Sequence, residues 1–525
     1  MPASLLLCLP SELLIACLCA VRGLREQSTS TLSALCSTSR SIRLHAEPLL
    51  YQELDWTWTG DFHPPVHLLL RTLLNRPELI NYIHHVRFND FSDVTYRQND
   101  TRGIMTTFTR VERTTLIGKL WDFTEVSPCY KNVSITAKCL LDGSVDPTLS
   151  ILLFQLKRLK SLALRVKDTD TPYKLCDTLF TSLFSFRHLR NVALVVRRNL
   201  AFADFWDTAD QAAELRDKLL AGVLFLGHIR TFECSIPTYW TPDWDTNGAL
   251  LFTLTSVTLQ TSSMQSLEEL LRLCPKLKRL DFIHRQYNCT LPNSVNQHQA
   301  YWGFRHGALD VLERDALGYG VSKYYFNCDL LQKALNHVKE TIEHISISIT
   351  PPNSQSQLQY PLINGSLCGC LPNFPRLKTL ELPSAVFFAG AAATAQCHGI
   401  ESHNRPKFEC ELLNSIPPSL EELRFREDAN YWRMWQWQEV EVEARIVCLM
   451  DYKEFIPRLK RVVVYSNGLD PQDLSGRPVW AGSMTIFKEA GVEVVVQKPR
   501  KYDADDIRNF WTVMVPRNQE AIESN

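Results

Sequence analysis

The chain has 525 residues, of which 45% are hydrophobic and 22% charged, and its formal net charge is -1. That length exceeds one ordinary compact core and calls for several domains or an elongated repeat array. The near-zero charge balance excludes a global electrostatic pull toward nucleic acid or an anionic membrane, since either needs a basic excess.

The 16 cysteines are scattered, and several, such as Cys17, Cys19, Cys36 and Cys274, sit in apolar runs. There a free thiol acts as a small hydrophobe, which points to a reducing compartment without a disulfide framework, cytoplasmic or nuclear. N-x-S/T triplets at Asn99, Asn132, Asn288 and Asn364 matter only on a secretory route. Residues 5–21 are apolar, but no Lys or Arg precedes them and Pro10, Ser11 and Glu12 interrupt them. The run also falls short of the roughly 20 residues of a membrane helix, so neither a signal peptide nor a span is expected.

From the N-terminus, Leu9-Pro10-Ser11-Glu12 opens a helix, with proline and an early acid where a first turn favours them. Leu13, Leu14, Cys17 and Leu18 give it an apolar stripe. Ser30 or Thr31 caps a second helix carrying Leu32, Leu35 and Cys36. A third holds Ile42, Leu44 and Ala46 and is predicted to end near Glu47-Pro48, because the residue before proline is pushed out of the helical region. Leu49, Leu50, Tyr51 and Leu54 then read as an apolar exit strand or turn. Three such short helices make a marginal core and need a neighbour or a partner.

The order Leu9-Pro10-x-Glu12-Leu13-Leu14, a break, Leu32-x-x-Leu35-Cys36-x-x-x-Arg40, then Ala46-Glu47-Pro48-Leu49-Leu50-Tyr51 resembles the F-box, especially its fungal form. The resemblance implies a three-helix hook that binds the Skp-type adaptor of a cullin-based (SCF) ubiquitin ligase. It also implies adaptor contacts through Leu9, Pro10, Leu13, Leu14, Leu18, Leu32, Leu35 and Cys36. The competing reading of the same stripes is a small helical cap on a larger domain.

Beyond residue 80 one spacing recurs: an apolar residue, another three on, and a third two further. It occurs at Ile83/Val86/Phe88, Leu159/Leu162/Leu164, Leu189/Val192/Leu194, Ile229/Phe232/Cys234 and Leu254/Val257/Leu259. It returns at Leu277/Leu280/Phe282, Ile342/Ile345/Ile347, Leu377/Leu380/Leu382, Leu420/Leu423/Phe425 and Leu459/Val462/Val464. Helical candidates fall between copies, at 148–158, 266–274, 329–340 and 485–490, and residues 491–496 read as a closing strand. A single unit of this kind cannot bury its apolar faces, so neighbours must stack.

The pattern is similar to degenerate leucine-rich repeats. The expected fold is α/β: a three-helix F-box, then an irregular solenoid with a curved parallel sheet inside and helices outside. The domains read as 1–54 F-box-like, 55–80 connecting, 81–497 solenoid with an insertion at about 285–327, and 498–525 a polar tail.

Function in such an array is expected on the inner sheet, where residues between the apolar positions alternate outward. The candidates for substrate binding are Arg165, Arg279, Asp281, His344, Glu381, Arg424, Arg461 and Tyr465, with Trp432 and Trp435 from the aromatic run 431–437. Their mixed signs suit a protein partner rather than a phosphate backbone. No Gly-rich phosphate loop, H-E-x-x-H or G-x-S-x-G motif occurs, and Cys368-Gly369-Cys370 lacks a second ligand pair. The expectation is a non-enzymatic substrate receptor of an SCF ligase, with no catalytic residues, cofactor or metal and no nucleic-acid or membrane partner. Its alternatives are a repeat scaffold that never engages the ligase, and a secreted repeat protein or enzyme that glycan at Asn132 or Asn288 would mark.

Overall fold

A computed structural model describes residues 9–23, 28–59, 64–91, 109–126, 145–167, 186–197, 226–235, 251, 253–261, 264–285, 326–350, 363–364, 367, 370–383, 386–387, 416–426, 447, 450, 453–465 and 485–497. The chain divides into two compact units, Met1–Lys278 and Arg279–Asn525.

The first unit opens with three helices, α1 (Ser11–Gly23), α2 (Ser28–Thr38) and α3 (Arg40–Tyr51). Leu14, Leu18, Leu32, Ile42 and Ala46 close a core, with Leu9, Val21, Leu35, Cys36, Leu49 and Leu50 packed at its rim. Ser39 caps α3 from an extended conformation, its Oγ accepting the Ile42 N–H at 3.1 Å. Two sequence expectations are corrected here. The second helix already begins at Ser28, so Ser30 and Thr31 lie within it. The third does not stop at Glu47-Pro48 but runs through Pro48 to Tyr51. Proline at that position removes one amide from the ladder, the one aimed at Leu44. Leu44 lies on the exposed side of the helix, so its carbonyl is not left unpaired in the core.

The sheet starts at once, with β1 (Glu53–Thr57). There follow α4 (Val66–Asn75), a 3-10 turn (Pro77–Tyr82), β2 (His85–Phe91), α5 (Arg110–Val126), α6 (Val145–Gln155), β3 (Ser161–Lys167), β4 (Asn191–Arg197), β5 (Thr231–Ser235), β6 (Ser256–Thr261) and α7 (Met264–Leu273). Strands β1 to β6 lie side by side in chain order, all parallel. The segment 55–80, read from sequence as a connector, therefore carries part of the first strand, and its helix α4 buries Val66, Leu69, Leu70 and Leu73.

In the second unit come β7 (Arg279–Arg285), β8 (Phe326–Asn327), α8 (Cys328–Leu335), β9 (His344–Thr350), β10 (Ile363–Asn364), β11 (Thr379–Pro383), β12 (Glu422–Arg426), β13 (Arg461–Tyr465) and β14 (Glu493–Gln497). Strands β7, β9, β11, β12, β13 and β14 are neighbours in that order and parallel, while β8 and β10 form a separate parallel pair. Asn327 caps α8, its side-chain oxygen accepting the N–H groups of Asp329 and Leu330.

Each recurring apolar copy leads into a strand, and its last two members face one side of the sheet in strict register. Leu54, Val86, Leu162, Val192, Phe232 and Val257 align across the first unit. Leu280, Ile345, Leu380, Leu423, Val462 and Val494 align across the second.

The first member of most copies closes a turn with a buried residue three positions earlier. The N–H groups of Leu159, Leu377 and Leu459 donate to the carbonyls of Leu156, Phe374 and Ile456. The carbonyl just before one strand then accepts two consecutive amides from the next copy. His84 O takes Lys160 and Ser161, Lys160 O takes Arg190 and Asn191, and Arg190 O takes Arg230 and Thr231. In the second unit Glu343 O, Lys378 O and Glu421 O do the same. Pairing in these sheets is thus set at the turn, before the strand begins.

Candidate protein-interaction surfaces

The three-helix bundle presents the first surface. Of the eight residues assigned to adaptor contact by resemblance, Leu14, Leu18 and Leu32 are corrected to core positions, only 4%, 3% and 2% exposed against Ile42 and Ala46. Helical spacing reports which residues share a stripe, and here that stripe faces the other two helices. Leu9, Leu35 and Cys36 are half-buried at the rim, while Pro10 and Leu13 are exposed. Ile15 on α1 and Leu44 on α3 are also exposed. The exposed apolar residues Leu13, Ile15 and Leu44 are 54%, 42% and 69% accessible, on a bundle whose own core is already closed.

The bundle is fastened to the rest of its unit by charge. Glu47 of α3 accepts two hydrogen bonds from Arg76, at 2.6 and 2.8 Å, and two from Arg43, at 3.0 and 3.2 Å. Hydrogen bonding from Arg76 holds the Glu47 carboxyl below its ordinary range. Arg22, in the last turn of α1, reaches Gln52 and lies 3.3 Å from Glu53 of β1. Arg76–Glu47 and Arg22–Gln52 were not legible as anchors, because their partners lie about thirty residues away in sequence.

The second surface is the sheet face opposite the aligned apolar rows. In the second unit it carries a chain of ion pairs. Asp281 sits 2.7 Å from Arg279 Nε and 3.4 Å from His344 Nε2. Burial pushes the Asp281 carboxyl up, but the His344 contact and the Arg279 charge outweigh it and leave it below the usual value. Glu381 takes Arg426 at 2.6 Å and Arg424 at 3.4 Å. Arg424 also meets Glu422 at 2.9 Å, and Arg461 bridges Glu422 at 3.6 Å and Glu493 at 3.4 Å. Burial lowers the Arg424 pKa, yet the Glu422 contact more than compensates, so the guanidinium stays charged.

The structure thus brings together seven of the sequence candidates on this face: Arg279, Asp281 and His344 in one cluster, and Glu381, Arg424, Arg461 and, by strand alternation, Tyr465 on β11 to β13. It also corrects the expectation of an open lining. Asp281, Glu381 and Tyr465 are buried, His344, Arg424, Arg279 and Arg461 are half-buried, and Arg165 of the first unit is 6% exposed. Period-two alternation says which residues turn away from the core, not whether anything lies over them. Arg426 and Glu493 were missed, though both stand two places along a strand from a residue on the same face, and that spacing was the available signal. Trp432 and Trp435, most of the 285–327 insertion and the 498–525 segment lie outside the described residues.

Two histidines, one half-buried and one fully buried, stand apart from these pairs. His85 is pushed down to about 4 by burial, with its Nδ1 2.5 Å from Ser161 Oγ. His284, fully buried between Phe282 and Phe326, is pushed down to about 3 by desolvation. Neither of its ring nitrogens has a hydrogen-bond partner among the described residues.

Among the described residues no group of three or more His, Cys, Asp or Glu side chains is placed to hold a metal ion, and no helix is long and apolar enough to cross a membrane. No protein-family model matches the chain, and no curated protein matches it.

Proposed function

We propose that this chain is a non-enzymatic substrate-recognition subunit of a cullin-type (SCF) ubiquitin ligase. In this reading the bundle α1–α3 binds a Skp-type adaptor and the repeat sheet binds a protein substrate. The observation that carries it is the exposure of three large apolar side chains, Leu13, Ile15 and Leu44, on a small bundle with a closed core. Exposed large apolar side chains on so small a unit are what a protein partner would cover. The F-box resemblance of residues 9–51 names the partner. The paired charges on the sheet face support a protein ligand for the repeats rather than a polyanion, because each arginine there already has a carboxylate beside it. No adaptor contact is assigned to Leu14, Leu18 or Leu32.

The test is co-purification of the full chain with a purified Skp-type adaptor, for the native sequence and for a Leu13→Glu/Ile15→Glu variant. Both residues are exposed, so the variant keeps its fold by circular dichroism. Binding by the native chain and loss in the variant is the expected result. Iodoacetamide labelling of the exposed Cys17 and Cys19 should also slow in the complex, while buried Cys274 and Cys370 label only after unfolding. A native chain that ignores the adaptor, or a variant that binds it undiminished, overturns the reading and leaves a repeat scaffold.

A further inference from the structure

In the first unit the turns ahead of β3, β4 and β5, and the turn after α7, carry charge of one sign, while the turn ahead of β6 is uncharged. Ahead of β3 the turn reads Leu156-Lys157-Arg158-Leu159-Lys160, and ahead of β4 Phe186-Arg187-His188-Leu189-Arg190. Ahead of β5 it reads Leu226-Gly227-His228-Ile229-Arg230, and after α7 Cys274-Pro275-Lys276-Leu277-Lys278. None of these turns contains an acid. The apolar members are buried, so the basic ones are turned out: Lys157, Arg158, Lys160, Arg187, Arg230 and Lys278 are all exposed.

The backbone fixes their spacing. Lys160 donates to His84 O, Arg190 to Lys160 O, Arg230 to Arg190 O, Thr255 to Arg230 O and Lys278 to Thr255 O. The turns therefore advance by one strand separation, about 4.8 Å, each, with an uncharged step at Thr255. The corresponding turns of the second unit, Phe374-Pro375-Arg376-Leu377-Lys378 and Ile456-Pro457-Arg458-Leu459-Lys460, are equally basic, but each lysine meets an acid of the preceding copy. There Lys378 is paired with Glu343 at 2.7 Å and Lys460 with Glu421 at 2.9 Å. In the first unit Lys157, Arg158, Lys160, Arg187 and Arg230 have no ion pair among the described residues, and Arg190 spends one nitrogen on the carbonyls of its own turn.

We infer that this basic row at the strand starts of the first unit is a docking surface for an extended acidic segment of a partner protein. Lys157, Arg158, Lys160, Arg187 and Arg230, which have no ion pair among the described residues, repel one another, and a run of carboxylates laid along them removes that repulsion. The chain's overall charge of -1 makes the concentration local rather than a by-product of composition. Single-stranded nucleic acid is the less suited polyanion, because it binds through aromatic platforms interleaved with basic residues and these turns expose none. These turns contain none of the bundle's residues, and the inference does not depend on the adaptor reading.

The experiment uses the full chain and a fluorescein-labelled deca-glutamate peptide, read by anisotropy at low and physiological salt. A single-stranded DNA oligonucleotide is the competing probe. The peptide is expected to bind the native chain in a salt-dependent way. Lys157→Glu/Lys160→Glu/Arg230→Glu should weaken binding by about tenfold or more, since three contacts on one charged row are reversed. Lys378→Glu/Lys460→Glu, on the paired turns of the second unit, should leave it unchanged. All five positions are exposed, and unaltered melting curves keep folding out of the comparison. Equal peptide binding by the native chain and the triple variant overturns the proposal. So does tighter binding of the oligonucleotide than of the peptide, or an equal loss in the second-unit variant. Scoring the triple variant for adaptor co-purification keeps this outcome distinct from failure of the receptor reading.

Discussion

Arg76 grips Glu47 with two nitrogens at once, 2.6 and 2.8 Å from the two carboxylate oxygens. A residue just after α4 thereby holds the end of α3 in place, beside the turn into β1. Paired forks of this kind are directional, so the contact sets an angle as well as a distance.

Replacing Glu47 by Gln removes the charge and keeps the shape. Because the Arg76 side chain is 34% exposed and solvent screens the pair, the expected loss is only about 1–2 kcal/mol. The sign with pH follows from the lowered Glu47 pKa. Its contribution is fully present above the unfolded value near 4.5 and is lost as pH falls through the lower folded value. Urea unfolding between pH 6 and 3 should show a shallower acid loss in Glu47→Gln than in the native chain; parallel curves would contradict the clamp.

Glu381 and Arg426 meet at 2.6 Å with side chains only 10% and 4% exposed. Removing one partner leaves a buried charge, which costs about 3–5 kcal/mol. Glu381→Ala should therefore lower the melting midpoint sharply. Glu381→Leu/Arg426→Met should recover most of it, because an apolar pair of similar bulk needs no desolvation of charge. If the double variant is less stable than the single, the pair contributes more than its burial costs, and the argument fails.

His284 makes the opposite kind of prediction. Its folded pKa lies near 3 against an ordinary 6.5, so the unfolded chain takes up a proton that the folded chain refuses. Stability is complete above pH 6.5 and drains away as pH falls toward 3. Substituting Phe, which suits the aromatic neighbours Phe282 and Phe326, should flatten stability across that window. The slope that remains includes His85, whose pKa is lowered to about 4 in the first unit. An unchanged slope in His284→Phe would rule the imidazole out as its source.

The strands were legible because Leu and Val recur at a spacing that few other structures need. Leu54, Val86, Leu162 and Val494, read one by one from sequence, fall in register. The buried residue three places before most copies, such as Leu156 or Phe374, was not recognised as part of the unit. It sits in a turn, where a step of three matches neither the strand nor the helix period. Helix α5 was missed outright, and α3 was cut short at Pro48 because local preference is weaker than packing. The surface candidates were the least legible part. Leu14 and Leu13 are adjacent and equally apolar, yet one is buried and the other exposed, and only the packing of three helices separates them.

The doubly used carbonyl ahead of each strand has a consequence for how the chain can change. Glu343, Lys378 and Glu421 each receive the next copy's amides, although the stretches of chain between them differ in length. Alignment is decided in a few residues at the turn, and what happens between turns does not enter it. Closing a longer loop adds little entropy cost, about 0.6 kcal/mol per doubling. Segments between strands are thus free to lengthen, shorten or be exchanged without shifting a single paired residue. Novelty can accumulate in them while the frame stays fixed, much as type can be reset on an unchanged baseline.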